Sequence, residues 1–208
     1  MNPFNVKSTF LEKCKEAIRL LKQGGIMIFL RKCARYGRHL LGEQSHFVYF
    51  AFSLDRPLPS FHLQDIGNVR LADRKDSARI QSELFPFITE EEENDKRYFK
   101  LIGKSGVSCF LAEKEGILVH YTWLFWDARQ SPLMDTPFSK ALIQEGDGYV
   151  GPAFTSPLAR GTWIYPHVLI KLLSFAKETA KRKRIILFVN GKNPSAVNFF
   201  TRLGFERL

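Results

Sequence analysis

The 208-residue sequence has three cysteines, Cys14, Cys33 and Cys109, and none stands in a CxxC pair or beside a pair of histidines. That spacing argues against a disulfide framework or a structural zinc site, and the sparse, odd count fits a reducing compartment. Long apolar runs are also missing. The longest, Ile26–Leu30 and Phe47–Phe52, fall far short of the roughly 20 residues that cross a bilayer. Residues 1–5 lack the basic start and apolar stretch of a secretory leader. A soluble, cytoplasmic protein without a metal is the expectation. With 45% hydrophobic residues and 19 phenylalanines, the chain can fill a core, which excludes disorder for its bulk.

Charge is plentiful but uneven within a net +10. Residues 1–42 carry nine Lys/Arg against two acids, 176–208 eight against two, and 43–175 fourteen against seventeen. Basic ends attract polyanions generally: nucleotide phosphates, nucleic acid or an anionic membrane surface. No helix-turn-helix, zinc-finger or RNA-binding signature is present, so no specific nucleic acid is expected. A basic membrane-surface or nucleic-acid-binding protein ranks last among the functional readings.

Periodicity divides the chain into a basic helical N-terminal extension with one strand, 1–64, and a main domain, 65–208. Residues 8–23 read as a helix with Ser8 as N-cap, broken by Gly24-Gly25. Ile26–Leu41 is a second basic amphipathic segment. Residues 7–41 either pack on their own domain, the favoured reading, or contact a membrane or partner. Phe47–Leu54 reads as a strand closed by Arg56-Pro57-Leu58-Pro59. Beyond it come a short strand at Val69–Leu71, a short helix at Asp76–Leu84, and a helix begun by a capping box of Thr89 and Glu92. The acidic run Glu90–Glu93 either attracts an amine or is a solvated helix start, which the capping chemistry favours.

Strands are expected at Val107–Ala112 and Ile117–Trp126, then a polar loop at Asp127–Asp147 and a strand at Tyr149–Phe154. A helix follows from Tyr165 with Pro166 in its first turn, then a buried strand at Ile185–Val189. The last helix has Asn193 as N-cap, Pro194 as first residue and Gly204 at its C-terminal cap. This order implies an α/β (α+β) fold, a mixed central sheet with helices on both faces.

A strand running straight into a helix N-terminus is a natural phosphate site, because the first-turn N–H groups are unpaired and the dipole end is positive. Gly161 lets the backbone approach an anion and Arg160 adds a charge-assisted bond. The stretch Thr155-Ser156-Pro157-Leu158-Ala159-Arg160-Gly161-Thr162-Trp163-Ile164-Tyr165 resembles the acyl-CoA pyrophosphate loop of the GNAT acyltransferases, in which a proline shortly precedes R-G-x-G-x-G/A. Further on, Asn193-Pro194-Ser195-Ala196-Val197-Asn198-Phe199-Phe200-Thr201-Arg202-Leu203-Gly204-Phe205 resembles that family's second signature, N-x-x-A-x-x-F/L-Y-x-x-x-G-F. Element order matches the family from about residue 66.

The resemblance implies an N-acyltransferase with acetyl-CoA, or another acyl-CoA, as cosubstrate and an amine of unknown identity as acceptor. It implies that Val150–Phe154 splays from its neighbour and that Phe154 and Thr155 pair with the pantetheine arm. Arg160, Gly161, Thr162, Trp163, Ile164 and Tyr165 would wrap the pyrophosphate, with Asn193 and Phe200 along the cofactor. Chemistry in the family is direct attack of an amine on the thioester. As candidate acid–base groups, His120 and Asp127 lie on or just after a central strand; a hydrogen-bonded core or rim position is the commoner fate of such a histidine.

Three residues depart from the family pattern. Trp163 and Tyr165 stand where the family has small residues, and Phe200 stands where it usually has a tyrosine able to protonate the leaving thiolate. These motivate a second reading, a catalytically impaired binding or regulatory module. The family also continues beyond the last helix into further strands, for which the N-terminal extension is a candidate replacement.

Overall fold

A computed structural model describes residues 47–60, 67–89, 93–135 and 142–208. The helices expected over 8–23 and 26–41 and the acidic start at 90–92 lie outside these residues. Residues 47–208 make one compact unit. The strand expected within the 1–64 extension belongs to the sheet of this unit.

Among the described residues, seven strands form one sheet: β1 (Phe47–Ser53), β2 (Asn68–Leu71), β3 (Val107–Lys114), β4 (Ile117–Phe125), β5 (Asp147–Thr155), β6 (Arg184–Asn190) and β7 (Glu206–Arg207). Their order is β2-β3-β4-β5-β6-β1-β7. Only β5 and β6 are parallel, joined through helix α1 (Ile164–Glu178); every other neighbouring pair is antiparallel. β1 pairs with β6 over its whole length, from Phe47↔Asn190 to Ser53↔Arg184. It carries β7 on its other edge, so the strand assigned to an extension is an interior strand of the sheet. β7 itself, two residues after the last helix cap, is too short to leave a period in the sequence.

Alternation along each strand divides the interior into two cores. On one face, Phe50 and Phe52 of β1, Val119 and Leu124 of β4, and Ile185 and Leu187 of β6 meet α1 through Val168, Leu169, Leu172, Leu173 and Ala176. Helix α2 (Pro194–Arg202) closes this core with Val197 and Phe200. On the other face, Tyr121, Trp123 and Phe125 of β4, Tyr149 of β5 and Ile186 of β6 pack with Ile80, Leu84, Tyr98 and Ile102.

These last residues sit on irregular turns. Where one helix over Asp76–Leu84 is expected, the chain makes a 3-10 turn Arg74–Asp76, an α turn Ser77–Arg79, a π turn Ile80–Leu84 and a 3-10 turn Phe85–Phe87. A capping box at Asp73, whose carboxylate accepts from Lys75 N at 2.6 Å while Asp76 accepts from Asp73 N at 2.8 Å, starts the run early. Glu93–Leu101 is a 3-10 helix.

Phe50 is fully buried against the Phe200 ring, with centroids 5.7 Å apart. Phe50→Ala is expected to lower the unfolding free energy by about 3–5 kcal/mol, as for a large ring lost from a packed core. Urea denaturation checks it: a loss near 0.5 kcal/mol, ordinary for surface positions, would mean that β1 is an accessory strand.

Candidate active site

The parallel pair β5–β6 is short. Its register holds for Asp147↔Arg184, Gly148↔Ile185 and Tyr149↔Ile186 and then stops. Past Tyr149 the β6-facing backbone groups of β5 have no ladder partner, a costly arrangement unless water or a ligand satisfies them. The local sequence accounts for the divergence. Pairing with β4 jumps from Leu124↔Val150 to Thr122↔Ala153, so Gly151-Pro152 forms a bulge. Pro152 has no N–H to donate. Gly151 has no room for a side chain, since a Cβ there would come 2.7 Å from Phe125 Cε2.

A cavity of about 470 Å³ opens where the strands part. That is within the range of small-molecule sites, ~300–1,000 Å³. β5 contributes Tyr149 to Ala153 and Thr155, β6 contributes Leu187, Phe188 and Val189, and β4 contributes His120. Tyr165 of α1, Ala196 and Phe200 of α2, and Asp95 complete the wall. Val150, Leu187 and Phe200 belong to one core, Tyr149 and Phe188 to the other, so the cavity reaches both faces of the sheet.

The loop after β5 is built from its own hydrogen bonds. Ser156 is buried, donates its N–H to Val119 O at 2.8 Å and caps the turn Pro157–Ala159. The Thr162 hydroxyl donates to Ala159 O at 2.6 Å. Gly161 has φ +76°, the left-handed conformation that glycine adopts without strain. Arg160 Nε donates to Thr155 O at 3.1 Å and its guanidinium stays exposed. The N-cap residue Trp163 makes no side-chain capping bond, the Thr162 hydroxyl accepts from Ile164 N at 3.5 Å and Pro166 has no N–H, so what the start of α1 offers an anion is chiefly its positive dipole end. Trp163 is 57% exposed, so its bulk projects away from the packed loop, while Ile164 is buried in the first core. Tyr165 reaches into the cavity and meets the rings of Phe199 and Phe200, centroids 5.9 and 6.1 Å away.

His120 is fully buried. Its Nδ1 is 2.8 Å from the Thr155 hydroxyl and its Nε2 bonds the Thr122 hydroxyl. Burial pushes its pKa down to about 3. It therefore lines the cavity as a neutral group with both nitrogens engaged, unlike a base poised near neutral pH. Asp127 is placed elsewhere. It follows the far end of β4, where Phe125 pairs with Tyr149 while His120 pairs with Thr155, and it does not line the cavity. Its carboxylate caps the turn Ala128–Gln130, accepting from Arg129 N at 2.9 Å, and the Arg129 hydrogen bonds hold its pKa below the usual range.

Of the residues expected along a cofactor, Thr155, Tyr165 and Phe200 line the cavity, and Arg160–Ile164 form the loop next to it. Phe154 is buried on the other face, stacked on Tyr121 at 5.7 Å. Asn193 caps α2, accepting from Ala196 N at 3.1 Å, and it is Ala196 that lines the cavity. Asp95, Tyr149 and Phe188 went unnoticed in the sequence, since they come from three distant elements and belong to no motif.

No protein-family profile matches the chain, and no curated protein is similar to it in sequence. Solved structures are similar. A GNAT-family protein from Novosphingobium aromaticivorans superposes with TM-score 0.50 at 16% identity, over 78% of this chain and 61% of that one. A GCN5-related N-acetyltransferase from Kribbella flavida gives 0.50 at 13% identity, over 77% and 53%. The chain has the GNAT fold. A conserved protein of unknown function from Staphylococcus epidermidis gives TM-score 0.54 at 10% identity, over 87% and 63%. The chain spans less than two thirds of the length of each of these structures. Within the GNAT fold, sequence similarity this low speaks for architecture alone, and the site must speak for the reaction.

Because His120 is neutral when folded and titrates near pH ~6.5 when unfolded, protons favour the unfolded chain. Stability from this group is complete above pH ~6.5 and is lost as pH falls toward about 3. NMR of the His120 imidazole is expected to show no titration between pH 5 and 8, whereas an inflection near 6.5 would mean that the ring is solvated.

Proposed function

We propose that the protein is an N-acyltransferase that moves an acetyl or other acyl group from an acyl-CoA to an amine by direct attack. The observation that carries this reading is the parting of β5 from β6 at Tyr149, beside the N-terminus of α1. The residues present fit a CoA thioester. The unpaired β5 edge over Val150–Thr155 suits an extended, amide-bearing arm. Gly161, Arg160 and the start of α1 suit a pyrophosphate. A bound acyl-CoA supplies an activated acyl carbon with a thiolate as leaving group.

The chain's own share of the work is positioning. β5 holds the arm in line with the cavity, and Tyr165 and Phe200 keep water from the thioester. His120, neutral and tied to Thr155, keeps that edge of β5 in register with β4. With no base near pH 7 among the expected residues, the amine loses its proton to solvent or to a group on the acceptor side. Phe200 has no proton for a departing thiolate, whereas Tyr165, packed on it, stays a phenol because burial raises its pKa. The same two observations, a neutral His120 and Phe200 at the family's tyrosine position, favour a binding or regulatory module as the alternative.

Calorimetry and thermal melting with acetyl-CoA test the reading. Binding should raise the melting temperature by mass action, and Gly161→Val should weaken binding about tenfold or more through strain at positive φ. Absence of any binding would remove the acyltransferase reading. Binding without thiol release above background across an amine panel would favour the regulatory module.

A further inference from the structure

Where β5 and β6 part, the cavity runs from one face of the sheet to the other, and its two ends differ in chemistry. On the face of α1 and α2 it is walled by Tyr165, Ala196 and Phe200, beside the loop that suits a pyrophosphate. On the opposite face it is walled by Tyr149 and Phe188. Phe188 lies over Tyr149 at 6.1 Å with planes 15° apart, and Tyr149 stacks on Phe125 at 5.9 Å. Phe188 also meets Tyr49 at 5.7 Å and Phe47 edge-on at 4.8 Å, and Phe47 is 41% exposed. An aromatic layer thus leads from the parted strands to the surface.

Chemistry and reach limit what fills the aromatic end. The charged lining residue is an acid, half-buried Asp95, and no Lys or Arg lines the cavity among the described residues. An anionic group there would be desolvated without a cation, whereas hydrocarbon gains from every methylene removed from water. An amide-bearing arm along the unpaired edge of β5 lies in the plane of the sheet, with its pyrophosphate end at the α1 loop and its thioester end between the parted strands. Stacked sheets pack about 10 Å apart, so ~5 Å separates mid-sheet from the far surface. An extended chain advances roughly 1.2 Å per bond. An acetyl group, a single bond past the carbonyl carbon, leaves the Tyr149 and Phe188 wall unfilled, and roughly four to five bonds reach it.

On the reading of the protein as an N-acyltransferase, we infer that its acyl donor carries a hydrocarbon chain of roughly six carbons rather than acetyl. The chain turns from the end of the CoA arm through the gap between β5 and β6 and lies along the rings of Tyr149 and Phe188. Phe188 sets the specificity, because it is the cavity-lining ring that joins Tyr149 to the exposed Phe47. With Phe47 at the surface the far end is open, so the site selects against short chains and lets longer ones emerge.

The test is calorimetry on the full chain with CoA, acetyl-CoA, butyryl-CoA, hexanoyl-CoA and succinyl-CoA. Affinity should climb with each methylene, leaving hexanoyl-CoA on the order of 10- to 100-fold tighter than acetyl-CoA. Succinyl-CoA should gain nothing over acetyl-CoA, since its carboxylate finds no cation. Phe188→Ala should bring hexanoyl-CoA to within about threefold of acetyl-CoA and leave acetyl-CoA affinity unchanged. The series on the unaltered protein decides the matter even where the variant does not fold. Equal or falling affinity beyond acetyl overturns the inference. So does a preference for succinyl-CoA, or a folded Phe188→Ala variant that keeps the whole gain. If CoA itself does not bind, the acyltransferase reading falls first and the inference falls with it.

Discussion

The rest of the site depends on one interruption in backbone hydrogen bonding, the end of the β5–β6 ladder at Tyr149. Inside a sheet, unpaired N–H and C=O groups are expensive, and folded proteins leave few of them. Here the cost is imposed by a bulge at Gly151-Pro152, where a side chain has no room and an N–H is missing. The strands cannot close again, so a cavity persists at the centre of a well-packed sheet. The end of β5 runs straight on into the loop that precedes α1, so the unpaired strand edge and the helix N-terminus lie close together in the chain.

The interruption is tolerable because the sheet is secured on both sides of it. β1 runs antiparallel along all of β6, and Phe50 and Phe52 anchor it to Phe200 and Phe205. Near the base of the ladder, Arg184 holds the buried Asp147 carboxylate with contacts of 2.7 and 2.9 Å, tying β6 to β5 where they still pair. Strands arriving from opposite ends of the described chain thus brace the pair whose separation makes the cavity.

Site chemistry follows from burial more than from charge. His120 sits within the cavity wall, yet desolvation keeps it neutral, and two threonine hydroxyls occupy its nitrogens. Tyr149 and Tyr165 keep their protons for the same reason. A wall of neutral hydrogen-bonding groups and aromatic rings suits reactions whose rate comes from placement and exclusion of water. Asp95 is the exception, and it lies across the sheet from the loop.

Much was legible in the sequence because it is written locally. Hydrophobic period placed α1 and most strands within a few residues, Asn193 and Pro194 marked the start of α2, and Gly161 marked the left-handed turn of the loop. The order of strand, loop, helix, strand and helix, with its two motifs, was enough to name the GNAT fold. The partner of a strand is not written in that way. Phe47–Ser53 reads as a strand in isolation, but only long-range packing makes it an interior strand of the sheet. His120 and Asp127 share a short stretch of sequence and yet face different surroundings, because β4 carries them to opposite ends of its pairing with β5. Asp95, Tyr149 and Phe188 meet only when the sheet forms and parts. Local propensity and capping depend on neighbours in the chain, so the sequence alone determined most of the elements and the glycine turn of the loop before α1. Burial, strand order and convergence on a cavity depend on contacts between distant residues, and only the tertiary structure could decide them.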